Sequence, residues 1–274
     1  MKLRKLAAAL SIIGAATIGS TAHAAATITN TDGVLSPFGG FDWASGAAAW
    51  TSGFAPVVGS TFDLYYAGWA VSVTDTGSGT LFTPHLDTNA NGVPAGAGTY
   101  EYTGFAHFKE KITGCNANFT ICTFTITSGV YDIYYDTASN AKQANGTGFQ
   151  DGIKIISGAV NGASNVFDTS LGGQATLTGS VTYTNTTFIN PALAGTTFTS
   201  TLQLSSAVTN FNVPTGYDFD GNGTSDPLGT PGVIVFQADA NQTFTTSVPE
   251  PGMLLLAGAA LAACGVATRR RRNA

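Results

Sequence analysis

From Thr61 onward apolar and polar residues alternate with a period of two, not the 3.6 of a helix. The clearest stretch is "GTYEYTGFAHFKEKIT", residues 98–113. Tyr100, Tyr102, Ala106, Phe108 and Ile112 fall on one face and Glu101, Thr103, His107, Lys109 and Lys111 on the other, which predicts a half-buried strand. "FTICTFTITSGVYDIYYDT", residues 119–137, reads as two strands turning at Ser128–Gly129. Further strands are expected in "FDLYYAGWAVSVTD", "GIKIISGAV", "ATLTGSVTYTNTTF", "TFTSTLQLS", "VTNFNV" and "GVIVFQA", separated by clusters of Gly, Asn and Ser. Ala47–Trp50 is at most one helical turn. Many short strands between turns predict an all-β body, an antiparallel β-sandwich or jelly-roll-like fold. Phe62–Tyr66 and Tyr131–Tyr135 echo one another as aromatic-Asp-aliphatic-Tyr-Tyr.

Both ends break this pattern. "MKLRKLAAALSIIGAATIGSTAHAAA" has a basic start, an apolar run and small residues at Ala22 and Ala24, the order of a secretory signal peptide cut after Ala24. At the other end Gly252–Thr268 carries no charge and as a helix would extend roughly 25 Å, a short transmembrane span. Arg269, Arg270, Arg271 and Arg272 follow it and hold that end on the cytoplasmic side, leaving the body outside. The expected organisation is a signal peptide at 1–24, an extracellular β body at 25–247 and a sorting segment with a transmembrane helix at 248–274.

The order Pro249-Glu250-Pro251, apolar span, arginine cluster resembles the PEP-CTERM sorting signal of Gram-negative bacteria. That resemblance implies recognition by an exosortase-type membrane protease, transient residence in the inner membrane, removal of the tail, and delivery to the cell surface or extracellular matrix. It covers about the last tenth of the chain and concerns the route, not the task.

Without both ends the body holds four basic residues, Lys109, Lys111, Lys142 and Lys154, against fifteen carboxylates, a net charge of −11, and no arginine. Nucleic-acid binding and phosphate recognition, which recruit basic side chains, are excluded. Cys264 lies in the tail, so the body keeps Cys115 and Cys122 in "GCNANFTIC", a spacing that suits a disulfide across a tight loop in an exported protein.

In "YDFDGNGTSDP", Asp218, Asp220 and Asn222 alternate before Gly223, with Thr224 and Asp226 following, an oxygen-rich spacing that fits Ca2+. It resembles EF-hand-like loops of extracellular proteins, but Gly229 stands where the bidentate glutamate belongs, and a plain acidic turn is the alternative. "LDTNANGVP", with Asp87, Asn89, Asn91 and Gly92, repeats the idea with less charge and reads as a turn. No catalytic residues are assigned. The body holds two histidines, His85 and His107, and His107 falls on the polar face of its strand. Asp132 and Asp136 would stand about 13 Å apart along a strand, too far for a glycosidase pair. Tyr65, Tyr66, Trp69, Tyr134 and Tyr135 either fill a β core or stack on sugars.

The early "FDWASGAAAW", the Tyr-Tyr strands, the Cys115–Cys122 loop and a β body ending just before Pro-Glu-Pro are similar to the flocculation-associated PEP-CTERM proteins. The resemblance implies a non-enzymatic surface or matrix protein that aggregates cells through exopolysaccharide. A secreted carbohydrate-active enzyme on a jelly-roll scaffold and a structural surface-layer protein are the alternatives.

Overall fold

The computed structural model describes residues 25–77, 79–94, 96–143, 146–168, 171–205 and 234–245. The expected signal peptide, the strand expected at "VTNFNV", the candidate Asp218–Asp226 loop and the sorting segment lie outside them. The described residues are all-β and antiparallel, as the alternation predicts, in a sandwich-like body. A small sheet joins β1 (Thr27–Asn30), β2 (Gly33–Leu35) and β11 (Ile189–Asn190).

The large sheet holds ten strands. They are β3 (Phe38–Trp43), β4 (Ala47–Ser52), β5 (Thr61–Asp75), β6 (Glu101–Cys115), β7 (Ile121–Asp136), β8 (Ile153–Gly162), β9 (Ser164–Asp168), β10 (Gly172–Thr184), β12 (Thr197–Leu204) and β13 (Val235–Phe244). Two places in the sheet are shared. β3 and β4 lie end to end between β5 and β13, and β8 and β9 lie end to end between β7 and β10. Ten strands therefore occupy eight places. Because β12 also pairs with β13, from Phe198↔Phe244 to Leu204↔Ala238, the sheet closes on itself. Closure leaves no free edge in the ring.

Inward positions follow the period-two pattern. On β6 these are Tyr102, Ala106, Phe108 and Ile112, and on β13 Phe236, Ala238, Ala240 and Phe244, all buried in one core. Gly104 leaves room on β6 for the Trp43 ring, since a Cβ there would meet it at 2.9 Å. The two aromatic echoes share one phase. Tyr66 and Tyr135 lie in this inner core, while Asp63 and Asp132 make ion pairs on the outside.

Two readings are corrected. Ala47–Trp50 belongs to strand β4, not to a helical turn, because both its faces are covered: Ala47 and Ala49 join the inner core while Ala48 and Trp50 join an outer cluster with Trp69 and Phe149. A strand buried on both sides shows no alternation. Ser128–Gly129 does not reverse the chain, and β7 runs through it. The pairings Lys109↔Ser128 and Glu110↔Ile126 leave Thr127 over, a bulge that bends the strand. Gly129 serves packing there, for a Cβ would come within 2.7 Å of the Phe108 ring.

One end of the ring is covered by the β1–β2 turn. Asn30 Nδ2 donates to the Tyr102 hydroxyl (3.1 Å), the Thr31 amide donates to that of Tyr135 (3.2 Å), and the Tyr100 hydroxyl donates to Asp32 Oδ2 (2.6 Å).

Candidate functional site

The outer faces of β10, β12 and β13 form a regular polar surface. Gln174, Thr176 and Thr178 on β10 stand opposite Gln203, Thr201 and Thr199 on β12, and these stand opposite Asp239, Asn241 and Thr243 on β13. Seven of the nine side chains are exposed, with Thr201 and Asp239 half-buried. Asp239 is the one charge in this array. Strand geometry spaces the groups by about 5 Å across the sheet and about 7 Å along it. Threonine is stiff at χ1, so its hydroxyls are held in place before anything binds. The array is legible in "QATLT", "TSTLQ" and "DANQT", where alternate residues are Thr, Gln or Asn, yet only the register brings the three runs together. Such a face offers paired donors and acceptors to a hydroxyl-rich ligand at little electrostatic cost.

Of the two roles open to the aromatic strand residues, filling a β core or stacking on sugars, the structure supports the core. Tyr66, Trp69, Tyr134 and Tyr135 are buried, and half-buried Tyr65 lies between Trp50 (5.5 Å, 12° between planes) and His107 (4.5 Å, 5°). Among the described residues the aromatics that stand in solvent are Phe82, Phe119 and Tyr183.

His107 lies on the outer face as its phase predicts, with Nε2 2.8 Å from Asp63 Oδ1. Asp132 is held by Lys154 Nζ at 2.7 Å and by the Ser157 hydroxyl, while Asp136 Oδ1 accepts the Ala138 amide. Each carboxylate thus has its own structural partner. Asp87, Asn89 and Asn91 form successive turns in which each side-chain oxygen accepts the amide two residues on, at 3.1, 3.3 and 2.8 Å. Gly92 adopts φ +78° there. Among the described residues no three His, Cys, Asp or Glu side chains converge as a metal site would require. Cys115 and Cys122 are directly opposite in the β6–β7 hairpin and are disulfide-bonded. The Asn116 side chain closes the loop they bridge by accepting the Thr120 and Ile121 amides.

Three carboxylates escape the sequence pattern. The Asp32 side chain is nearly inaccessible and hydrogen-bonded to the His85 ring; burial raises its pKa, but hydrogen bonds from Tyr100 and His85 more than offset that and hold it below the ordinary value. Glu101 belongs to the polar face of β6 yet is fully buried, because the turns around Asp87 and the segments that carry Asn140, Ala141 and Phe149 cover that end of the strand. Its Oε1 accepts the Asn140 and Ala141 amides, both at 2.9 Å, and desolvation pushes its carboxyl up to about 7 despite them. Glu110 is buried on the inner side of the ring. Its place in the alternation, between Phe108 and Ile112, is the signal that marks it.

Among the described residues no helix is long and apolar enough to cross a membrane; the expected span at 252–268 lies outside them. No curated protein and no solved structure matches the chain. Residues 247–272, which include Pro249-Glu250-Pro251 and Arg269–Arg272, match the PEP-CTERM protein-sorting motif. The closed β body is therefore carried by a PEP-CTERM sorting-signal protein, exported and sorted by an exosortase.

Proposed function

We propose that this exported protein acts without enzymatic chemistry at the cell surface or in the extracellular matrix of a Gram-negative bacterium, where it promotes cell aggregation by binding exopolysaccharide. The observation that carries the reading is the exposed Thr, Gln and Asn array on β10, β12 and β13. A lattice of hydroxyl and amide groups with a single charge suits a sugar polymer, which presents many hydroxyls and no apolar core to bury. The absence of arginine and the acidity of the body favour a neutral or cation-bridged polymer over an acidic one bound directly. Calcium bridging through Asp218, Asp220, Asn222, Thr224 and Asp226 is the second contribution in this account.

Co-sedimentation of the purified protein with exopolysaccharide from its own cells is the test, with Thr178→Glu/Thr199→Glu as the array variant. Both positions are exposed, so the double variant keeps the wild-type melting temperature within a few degrees. Binding falls at least fivefold in the variant, and the polymer shows no new reducing ends. Unchanged binding would move the contact elsewhere, and reducing-end release would make the protein a carbohydrate-active enzyme instead.

A further inference from the structure

The turns that follow Leu86 carry side-chain oxygens at alternate positions, Asp87, Asn89 and Asn91, ahead of Gly92 at φ +78°. In calcium loops of the EF-hand pattern the first, third and fifth positions supply side-chain oxygens and glycine stands at the sixth. The seventh, here Val93, offers its backbone carbonyl. Gly98 stands at the twelfth position, where that pattern has its bidentate glutamate, so the stretch reads as a plain turn in the sequence. The fold brings a carboxylate to these turns from strand β6 instead.

That carboxylate is Glu101. The Asp87 amide donates to the Tyr100 carbonyl at 2.8 Å, so the turns start alongside the residue that precedes Glu101. Their far end is tied to the segment that Glu101 holds. The Gly92 amide donates to the Ala141 carbonyl and the Gln143 amide to the Ala90 carbonyl, both at 2.8 Å, while the Ala141 amide donates to Glu101 Oε1 at 2.9 Å. Asp87 and Glu101 are 1% and 0% exposed. Oε1 of Glu101 takes two amides, but Oε2, equally inaccessible, has no hydrogen-bond partner. The same holds for the hydroxyl of buried Ser139, next to Asn140 and held at φ +47°. Buried oxygens without a donor are rare and point to a bound partner. Asp136 and Asp87 add negative potential at Glu101, which makes a cation the partner that fits.

Among the described residues three His, Cys, Asp or Glu side chains do not meet, which excludes a zinc-type site here. Calcium asks less of acidic side chains, because amide and backbone carbonyl oxygens also serve it. We propose that Asp87, Asn89, Asn91 and Glu101 form a structural Ca2+ site that ties residues 87–93 and 140–143 to the start of β6. The site is separate from the candidate loop at Asp218–Asp226 and does not depend on the polysaccharide reading. In the calcium-free protein Glu101 is a buried carboxyl that favours its proton, and calcium takes the proton's place.

The probe is Ca2+ itself, titrated into the protein recovered from the cell exterior and stripped with EDTA. The Trp69 indole donates to the Thr88 carbonyl at 2.9 Å, within the turns, so tryptophan fluorescence reports on the site. The expected result is a saturable fluorescence change, with the melting temperature raised by about 5–10 °C at a hundredfold excess over the dissociation constant. Glu101→Gln keeps at least wild-type stability in EDTA but lowers Ca2+ affinity by about tenfold or more. Asn91→Ala, at an exposed position, also weakens Ca2+ binding and leaves the melting temperature in EDTA unchanged. Asp218→Asn/Asp220→Asn leaves the fluorescence titration as it is in the wild type. No saturable response to Ca2+, or a response that survives Glu101→Gln, overturns the proposal. So does a response lost with Asp218→Asn/Asp220→Asn, which puts the ion in the other loop.

Discussion

Glu101→Gln should make the protein more stable at neutral pH, although it alters a fully buried, hydrogen-bonded residue. In the folded state burial raises this carboxyl from 4.5 to about 7, the amides of Asn140 and Ala141 opposing that rise and Asp136 and Asp87 adding to it. A raised folded pKa means the fold prefers the protonated form. The associated stability is complete below about pH 4.5, falls as the pH rises through 7, and is absent above it. The rise from 4.5 to about 7 corresponds to roughly 3 kcal/mol, of which a protein that relaxes around the charge retains part. Glutamine keeps an Oε1 acceptor for both amides and carries no charge. Urea unfolding of wild type and variant from pH 4 to pH 8 is the assay. The two agree within about 0.5 kcal/mol at pH 4, and at pH 8 the variant is more stable by about 2–3 kcal/mol. Other titrating groups cancel in the difference. A variant less stable than wild type at pH 8, or a difference that does not vary with pH, would refute the reasoning.

Tyr100→Phe removes the 2.6 Å hydrogen bond to buried Asp32 and should cost about 1.5–3 kcal/mol at pH 7 by urea unfolding. Because Asp32 is held below 3.8 in the fold, its contribution is present above that value and lost as the pH falls through the lowered pKa. The penalty for Tyr100→Phe therefore shrinks in acid. Replacing Cys115 and Cys122 together by serine opens a loop with a sequence separation of seven and should cost about 2.5 kcal/mol, read as a lower melting temperature that reductant no longer changes. Gly158→Ala would place a Cβ within 2.1 Å of the Tyr131 ring and should destabilise by about 1–3 kcal/mol, while Gly162→Ala, in open space on the same strand, should change stability by less than about 1 kcal/mol.

Most strands were legible because one side of each faces the core and the other faces water. The phase of β6 is right from Tyr102 to Ile112. The disulfide was legible from spacing, since two cysteines seven apart fit a hairpin end. Closure of the ring was not. It depends on pairing Ala47–Trp50 with Ala238–Val235, nearly two hundred residues away, and on β12 meeting β13. No local pattern encodes such partners. The burial of Glu101 was hidden for a related reason, because the turns that cover it come from elsewhere in the chain. The choice between core and sugar platform was open for a different reason: aromatic strand residues have the same composition whether they pack inside or stand in solvent, and Tyr66 and Tyr135 point inward. The Thr, Gln and Asn array was present as three separate runs, and it became a surface only through register.

In the proposed function the sorting tail delivers a folded β body whose outer face joins cells through exopolysaccharide. Deleting the gene and scoring floc formation alongside secreted polysaccharide tests it most directly, with three complementing genes: the full chain, the chain without residues 248–274, and the Thr178→Glu/Thr199→Glu variant. The account predicts dispersed cells with normal polysaccharide secretion, rescued by the full chain and by neither altered form. Loss of polysaccharide synthesis in the deletion strain, or full rescue by the array variant, would contradict it.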